Sequence, residues 1–107
     1  MEQKKIASAE VVLTAPGVVG KKVSDKYDCE ILQISIEPGK LIPSHSMEMP
    51  ATFTVVEGKG EAEIGGKVYK LEKGDIFELE AGINRKWRNT GNEMLVIMTV
   101  KYMKYKQ

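Results

Sequence analysis

The residues able to do chemistry cluster in two short stretches, and the first contains the single histidine of the chain. His45, Met47 and Met49 occupy alternate positions, so a regular strand would place all three on one face. An imidazole and two thioethers are ligands that suit Cu(I). Sites that need two or three histidines cannot form within one copy of this chain. The first stretch predicts a soft-metal site, a single acid–base group or packing residues.

The second stretch places a positive charge where the strand pattern turns inward. Arg85, Trp87 and Asn89 share one face of the predicted strand. A buried, unpaired charge costs several kcal/mol, so an inward guanidinium requires an anion. Two kinds of anion fit this requirement: a protein carboxylate, such as Glu48 or Glu80, and an anionic ligand.

Length and charge exclude several classes of protein. The chain has 107 residues, which predicts one domain spanning residues 1–107, with a core over about 10–102 and short tails. Its 16 basic and 15 acidic residues give a net charge of +1. This balance argues against a nucleic-acid partner and against a polybasic membrane anchor. The lone Cys29 excludes an intrachain disulfide and fits a reducing compartment.

The sequence shows neither the pattern of a secretory signal nor that of a membrane-spanning helix. The start of the chain has no continuous apolar run ahead of a small-residue cleavage site. The longest apolar run, residues 94–98, is far shorter than the roughly twenty residues of a spanning helix. We therefore expect a cytoplasmic protein with no membrane partner.

Short strands separated by turns dominate the rest of the pattern. Glycine and proline recur from residue 16 to residue 91 and leave no room for an ordinary helix. Leu32, Ile34 and Ile36 alternate with more polar residues, and residues 93–102 alternate in the same way. Gly65-Gly66 suits a hairpin turn. These features predict an all-β sandwich or barrel.

Two glycine-framed stretches share the spacing of a known pair of motifs. The first consists of Gly39, His45, Met47, Ala51 and Gly58. The second consists of Gly74, Glu80, Gly82, Arg85 and Asn89. Together they resemble the two motifs of the cupin superfamily, over about residues 30–100. The resemblance implies a double-stranded β-helix, the jelly-roll barrel of cupins.

The same resemblance bears on metal binding. Metal-binding cupins take two histidines and a glutamate from the first motif and one histidine from the second. Those positions correspond here to His45, Met47, Ala51 and Arg85. Alanine has no donor atom, and arginine is a permanent cation without a free lone pair. We therefore expect none of the family's metals and no other cofactor.

Three functional hypotheses follow, and they leave open whether the chain is an enzyme. In the first, a small, anionic organic molecule binds in the barrel, walled by Met47, Phe53 and Trp87. Arg85 clamps its acid group and His45 donates or accepts a hydrogen bond. The bend at Pro50 leaves open whether Phe53 or Thr54 points inward.

The second hypothesis is a metal-independent enzyme, because some cupin isomerases and epimerases resemble this arrangement. His45 acts as acid or base, and Arg85 stabilises an enolate or carboxylate. The candidates for a second proton-transfer group are Tyr27, Tyr69 and Tyr102.

The third hypothesis is a copper-type site formed by His45, Met47 and Met49, which the positive charge of Arg85 opposes. A structural or regulatory dimer with an inert pocket is a further alternative. We expect a homodimer in any case, because residues 10–14 and the last strand offer sheet edges and cupins commonly pair through such edges.

Overall fold

The structure, a computed structural model, describes residues 1–104. One 3₁₀ turn, Ile6–Ser8, precedes ten strands in this part of the chain. The strands are β1 Glu10–Ala15, β2 Val18–Ser24, β3 Cys29–Ile36, β4 Leu41–His45, β5 Ala51–Glu57, β6 Gly60–Ile64, β7 Lys67–Leu71, β8 Ile76–Leu79, β9 Arg85–Arg88 and β10 Leu95–Tyr102. The predicted all-β fold class is confirmed. The last three residues of the predicted C-terminal tail, 105–107, lie outside the described residues.

The strands form two antiparallel sheets that share one core. The six-stranded sheet has the order β1-β2-β3-β10-β5-β8, and the four-stranded sheet has the order β4-β9-β6-β7. Neighbours in each sheet are often distant in the chain, as with β3 and β10. The two sheets therefore close on each other only when both halves of the chain are in place.

Alternation places the apolar side chains between the sheets. Leu32, Ile34 and Ile36 of β3 are buried, as their spacing predicts. Opposite them in the register of β10 lie Thr99, Ile97 and Leu95, which are buried too. Residues between these positions face outward and are partly exposed.

Two turns show why glycine is needed where the motifs have it. Gly65 and Gly66 have φ of 58° and 85° and join β6 to β7, as predicted for a hairpin. Gly58 has a φ of 85°, and a Cβ there would collide with the carbonyl of Met94. A side chain at Gly58 would separate the end of β5 from the start of β10.

One prediction about sheet edges is wrong. The last strand, β10, pairs with β3 on one side and β5 on the other, so it lies inside the six-stranded sheet. The pattern of its side chains could not reveal this, because pairing partners lie far away in sequence. The predicted edge at residues 10–14 is present, since β1 pairs only with β2. No helix within residues 1–104 is long and apolar enough to cross a membrane.

Candidate functional site

The inner faces of the two sheets enclose a cavity of about 270 Å³. The six-stranded sheet contributes a row of three neighbouring residues, Leu32, Thr99 and Phe53. They lie side by side because β10 pairs with both β3 and β5 at the level of Thr99. Ile34, one step along β3, extends this apolar floor.

The opposite wall consists of two cross-strand pairs from β4 and β9. Ile42 lies across from Trp87, and His45 lies across from Arg85. Trp87 is 2% exposed, and its ring centroid lies 4.7 Å from that of Phe53. The two aromatic rings thus join the sheets at one end of the cavity.

Strand β1 closes the side of the cavity through an irregularity in its pairing. The register with β2 jumps between Val11 and Leu13, which leaves Val12 in a β-bulge. Val12 and Leu13 both line the cavity, although neighbours in a regular strand point to opposite faces. Leu13 fits there because its partner, Gly20, has no side chain: a Cβ at Gly20 would lie 2.9 Å from that of Leu13.

Arg85 is the most unusual residue of the cavity. It is 1% exposed, and among the described residues its Nε and Nη2 have no hydrogen-bond partner. Within residues 1–104 it forms no ion pair. Its Cζ lies 5.5 Å from the centre of the Phe53 ring, which holds one face of the guanidinium. Burial lowers the pKa of Arg85, because the charged form loses contact with water.

Among residues 1–104, no ion pair joins Arg85 to the carboxylates predicted as its alternative partners. Glu80 is exposed and lines a separate groove beside Tyr69 and Phe77. Glu48 is exposed as well, on the loop that follows β4. The lowered pKa of Arg85 agrees with this, because its cause is burial.

A second polar group in the cavity also lacks a partner. The Oγ1 of Thr99 is buried and makes no hydrogen bond with residues 1–104. A buried hydroxyl without a partner costs about 1–3 kcal/mol. Thr99 lies beside Phe53 in the sheet, and the guanidinium of Arg85 lies over the Phe53 ring. Arg85 and Thr99 therefore bring polar atoms without hydrogen-bond partners among residues 1–104 into a cavity whose walls are mostly apolar.

His45 lines the same cavity and is exposed at its mouth. Its Nδ1 lies 3.0 Å from the carbonyl oxygen of Pro43. Because a carbonyl only accepts, Nδ1 carries the proton in the neutral ring, and Nε2 is left with a lone pair. The lone pair of Nε2 can then accept a proton or a hydrogen bond.

Met47 lines the cavity, whereas Met49 does not. Strand β4 ends at His45, and residues 46–50 form an irregular connection to β5. The Gly82 N–H donates to the Met47 carbonyl at 2.8 Å, which fixes this connection against the loop before β9. The prediction that His45, Met47 and Met49 share one strand face is therefore wrong.

The inward face predicted for the second stretch is confirmed, but its residues have different roles. Arg85, Trp87 and Asn89 are all buried. Asn89 donates through Nδ2 to the carbonyls of Ile36 at 2.8 Å and Glu93 at 2.7 Å. Its Oδ1 accepts the Gly91 N–H at 2.9 Å. Asn89 is thus a structural link and does not line the cavity.

The structure brings together all five residues predicted to bind a ligand: His45, Met47, Phe53, Arg85 and Trp87 line one cavity. Phe53, rather than Thr54, points inward. None of the three tyrosines proposed as second proton-transfer groups lines it: Tyr27 is exposed, Tyr69 faces another groove, and the Tyr102 hydroxyl bonds Thr52.

Sequence reasoning missed the remaining polar residues of the cavity. Thr99 lies on the predicted alternating face of the last strand, and a hydroxyl among Leu95 and Ile97 was an available signal. Glu30 and Lys101 lie at the cavity wall and form an ion pair at 3.5 Å across β3 and β10. Nothing in the local sequence indicates this pairing.

The arrangement of two packed antiparallel sheets, with a cavity between them and two glycine-framed motifs, defines a jelly-roll barrel protein. The cupin domain family matches residues 32–101, more than half of the chain. The chain belongs to the cupin family, as the two motifs suggested.

Similar proteins within this family are diverse. The chain is 36% identical over 68 residues to a 5-nitrosalicylic acid 1,2-dioxygenase from Bradyrhizobium sp, over 64% of this chain and 33% of that protein. It therefore spans about a third of the length of this relative. The polyketide cyclase RemF from Streptomyces resistomycificus superposes with a TM-score of 0.83 at 14% identity, covering 97% of this chain and 80% of that one.

An RmlC-like cupin from Shewanella frigidimarina NCIMB 400 superposes with a TM-score of 0.80 at 16% identity, covering 92% of this chain and 88% of that one. At these identities the superpositions show the fold alone. They confirm the predicted cupin barrel.

The residues at the family's metal positions do not fit a divalent cation. Arg85 places a buried guanidinium directly across from His45. Ala51 is buried in β5 and offers only a methyl group. Within residues 1–104 no three His, Cys, Asp or Glu side chains converge. One imidazole and one thioether beside a permanent cation are a poor donor set for any of the family's metals.

Proposed function

We propose that the chain binds a small organic anion in the cavity between its two sheets, without a metal. The observation that carries this proposal is the state of Arg85. Arg85 is 1% exposed, and within residues 1–104 two of its nitrogens have no hydrogen-bond partner. A buried charge in this state is tolerated when an anion completes its hydrogen bonds, and an incoming acid group does so.

The rest of the cavity supports a ligand with an apolar body. Phe53, Trp87 and the aliphatic side chains of β3 form most of the surface. Ligand sites commonly combine such walls with a few convergent polar groups. The relative from Bradyrhizobium is named for an organic acid, which supports this ligand class.

Protein purified directly from cells tests the proposal. We expect native mass spectrometry to show a bound small molecule that denaturation releases, and electron density beside Arg85 in crystals. A panel of organic acids and phosphates should contain compounds that raise the melting temperature, because ligands that bind only the folded state stabilise it. An empty cavity together with no response to any anion would refute the proposal.

The donor set makes a separate prediction about metal content. Because Ala51 and Arg85 occupy metal-ligand positions, we expect far less than one equivalent of iron, manganese, nickel or zinc per chain. Elemental analysis after mild dialysis measures this. A value near one equivalent would contradict the claim that the site holds no metal. The claim that an anion binds beside Arg85 would then be tested separately.

A metal-independent isomerase or epimerase is the second candidate function. The observation in its favour is His45, whose free Nε2 lies at the cavity mouth across from Arg85. Arg85 would stabilise the enolate that forms when His45 removes a proton beside the acid group. We expect such an enzyme to exchange that proton with deuterium from solvent, as measured by NMR. His45→Gln should abolish the exchange and retain binding.

We also propose that the chain forms a homodimer through β1. This strand is an edge of the six-stranded sheet, and Val11 and Val12 are exposed on it. Unprotected edges of this kind tend to pair with other chains. Light scattering should then give about twice the 11.9 kDa of one chain. A mass of one chain across micromolar concentrations would contradict this.

A further inference from the structure

The two unpartnered nitrogens of Arg85 restrict the geometry of a ligand as well as its charge. Nε and Nη2 form one edge of the guanidinium, from which two N–H bonds point in parallel. Both nitrogens are buried and have no partner. The spacing of this pair matches two oxygens on one atom, which is the geometry of a carboxylate or a phosphate.

The face of the guanidinium is less available to a ligand than this edge. Phe53 lies against it at 5.5 Å from Cζ to the ring centroid. The ring lies against one face of the guanidinium, and the Nε–Nη2 edge is left with unused hydrogen-bond donors. Thr99 lies beside Phe53 in the register of β10 and β5, and its hydroxyl also has no partner.

The charges that line the cavity limit the charge of the ligand. Lys101 is engaged with Glu30 at 3.5 Å, and both side chains are mostly buried. Among the described residues that line the cavity, this leaves Arg85 as the cation without an ion-pair partner. A second negative charge on the ligand would share the small cavity with the Glu30 carboxylate and would meet no free cation.

The volume and the walls limit the body of the ligand. A cavity of about 270 Å³ is slightly smaller than most ligand pockets, which span roughly 300–1,000 Å³. The polar and charged residues that line it are Glu30, His45, Arg85, Thr99 and Lys101, and the remaining lining residues are aliphatic, aromatic or Met47. A sugar would leave most of its hydroxyl groups without partners, because the greater part of these walls is apolar.

We infer that the ligand of this cavity is a small monocarboxylic acid with an apolar body. Its carboxylate accepts hydrogen bonds from the Nε–H and Nη2–H groups of Arg85 and from the hydroxyl of Thr99. Its apolar body lies between β3 and the Phe53–Trp87 pair. This inference rests on the proposed function, since it specifies the anion that the same site takes.

A matched series of compounds tests the inference against the proposed function. Benzoate, phenyl phosphate and benzamide share one ring and differ in the head group, and straight-chain acids from acetate to decanoate vary the body. We expect saturable melting-temperature shifts from benzoate or a mid-length acid and none from benzamide or acetate. Shifts from phenyl phosphate that exceed those of every carboxylate would overturn the inference and leave the proposed function intact. No shift from any anion would overturn both.

Two variants test the contacts by calorimetric titration with the best carboxylate. Arg85→Lys keeps the charge and removes the paired donor edge, so we expect at least a tenfold loss of affinity. Thr99→Val removes the hydroxyl at nearly constant volume, so affinity should fall about threefold to tenfold while the ligand-free melting temperature rises. Unchanged affinity in both variants would overturn the inference.

The control is Lys86→Met, which removes a neighbouring positive charge of β9. Lys86 lies outside the cavity and is partly exposed. Its loss should leave carboxylate affinity within twofold of the original protein. An equal loss in Lys86→Met and Arg85→Lys would show that affinity does not depend specifically on the Arg85 donor edge, and would overturn the inference.

Discussion

Asn89 and Arg85 lie on the same inward face of one short stretch of chain, and each is 1% exposed. Asn89 uses its amide in three hydrogen bonds that join the end of β3 to the turn before β10. Arg85, four residues earlier, has two nitrogens without a hydrogen-bond partner in the described part of the chain, residues 1–104. One end of the barrel is closed by a completed polar network, and the other holds an incomplete one.

This contrast distinguishes two uses of buried polarity. A completed network contributes stability and specifies one packing, because each group would be costly to leave unpaired. An incomplete network lowers stability until something else supplies the missing partners. The hydrogen bonds of Asn89 therefore stabilise the fold, whereas the unpartnered donors of Arg85 are available to a ligand. Substitutions at the two ends should change stability in opposite directions.

The largest expected effect is at the Asn89 end. Asn89→Ala removes three hydrogen bonds and leaves the Ile36 and Glu93 carbonyls and the Gly91 N–H unpaired. We expect a loss of about 3 kcal/mol in the free energy of unfolding, measured by urea denaturation. Asn92→Ala, at an exposed position of the same turn, is the matched control and should stay within about 0.5 kcal/mol. Equal effects in the two variants would remove the contrast.

The next effect has the opposite sign. Arg85→Met replaces an unpaired buried charge by an apolar side chain of similar length, so ligand-free protein should gain about 1–2 kcal/mol. Thermal unfolding of protein refolded to remove bound molecules measures this. Arg88→Met, at an exposed position on the same strand, should be nearly neutral. A loss of stability in Arg85→Met would mean that Arg85 supports the fold after all.

A smaller effect is expected where β1 meets the cavity. Gly20→Ala places a Cβ about 2.9 Å from that of Leu13, so the strand or the leucine must shift. We expect a loss of about 1 kcal/mol and weaker ligand binding, because Leu13 is pushed into the cavity. Repeating the substitution in a Leu13→Ala background should abolish most of the loss. A loss of the same size in both backgrounds would show that Leu13 is not the obstacle.

The smallest effect concerns the completed charge pair of the cavity wall. Lys101 and Glu30 have side chains that are 19% and 29% exposed, and their pair should contribute less than about 1 kcal/mol. Lys101→Met should therefore lower stability slightly, and less so at high salt. A loss larger than that of Asn89→Ala would show that paired charges, rather than the amide network, hold the barrel together.

The inward faces could be read from the sequence because they are local. Side-chain direction alternates along a strand, so Leu32, Ile34 and Ile36 were assigned correctly, as were Arg85 and Trp87. The same rule failed at Met49. Strand β4 ends at His45, and the contact that shapes the following loop comes from Gly82, which is 35 positions beyond Met47 in the chain.

Other features of the site depend on pairing across long sequence distances. The bulge at Val12 follows from the register of β1 on β2, and local alternation contains no sign of it. The pairing of Glu30 with Lys101 requires β3 and β10 to be neighbours. Thr99 was visible as a polar residue on an apolar face, but its lack of a partner depends on what surrounds it in the folded protein.

The position of β10 has a consequence for how the chain folds. It is the last strand of the barrel in chain order, yet it fills the gap between β3 and β5. Until it emerges from the ribosome, both neighbours present unpaired backbone groups, which are templates for association with other chains. The barrel can close only after synthesis of almost the whole matched region, so its slow, non-local pairing comes last. The risk of association with other chains therefore lasts until β10 has paired with β3 and β5.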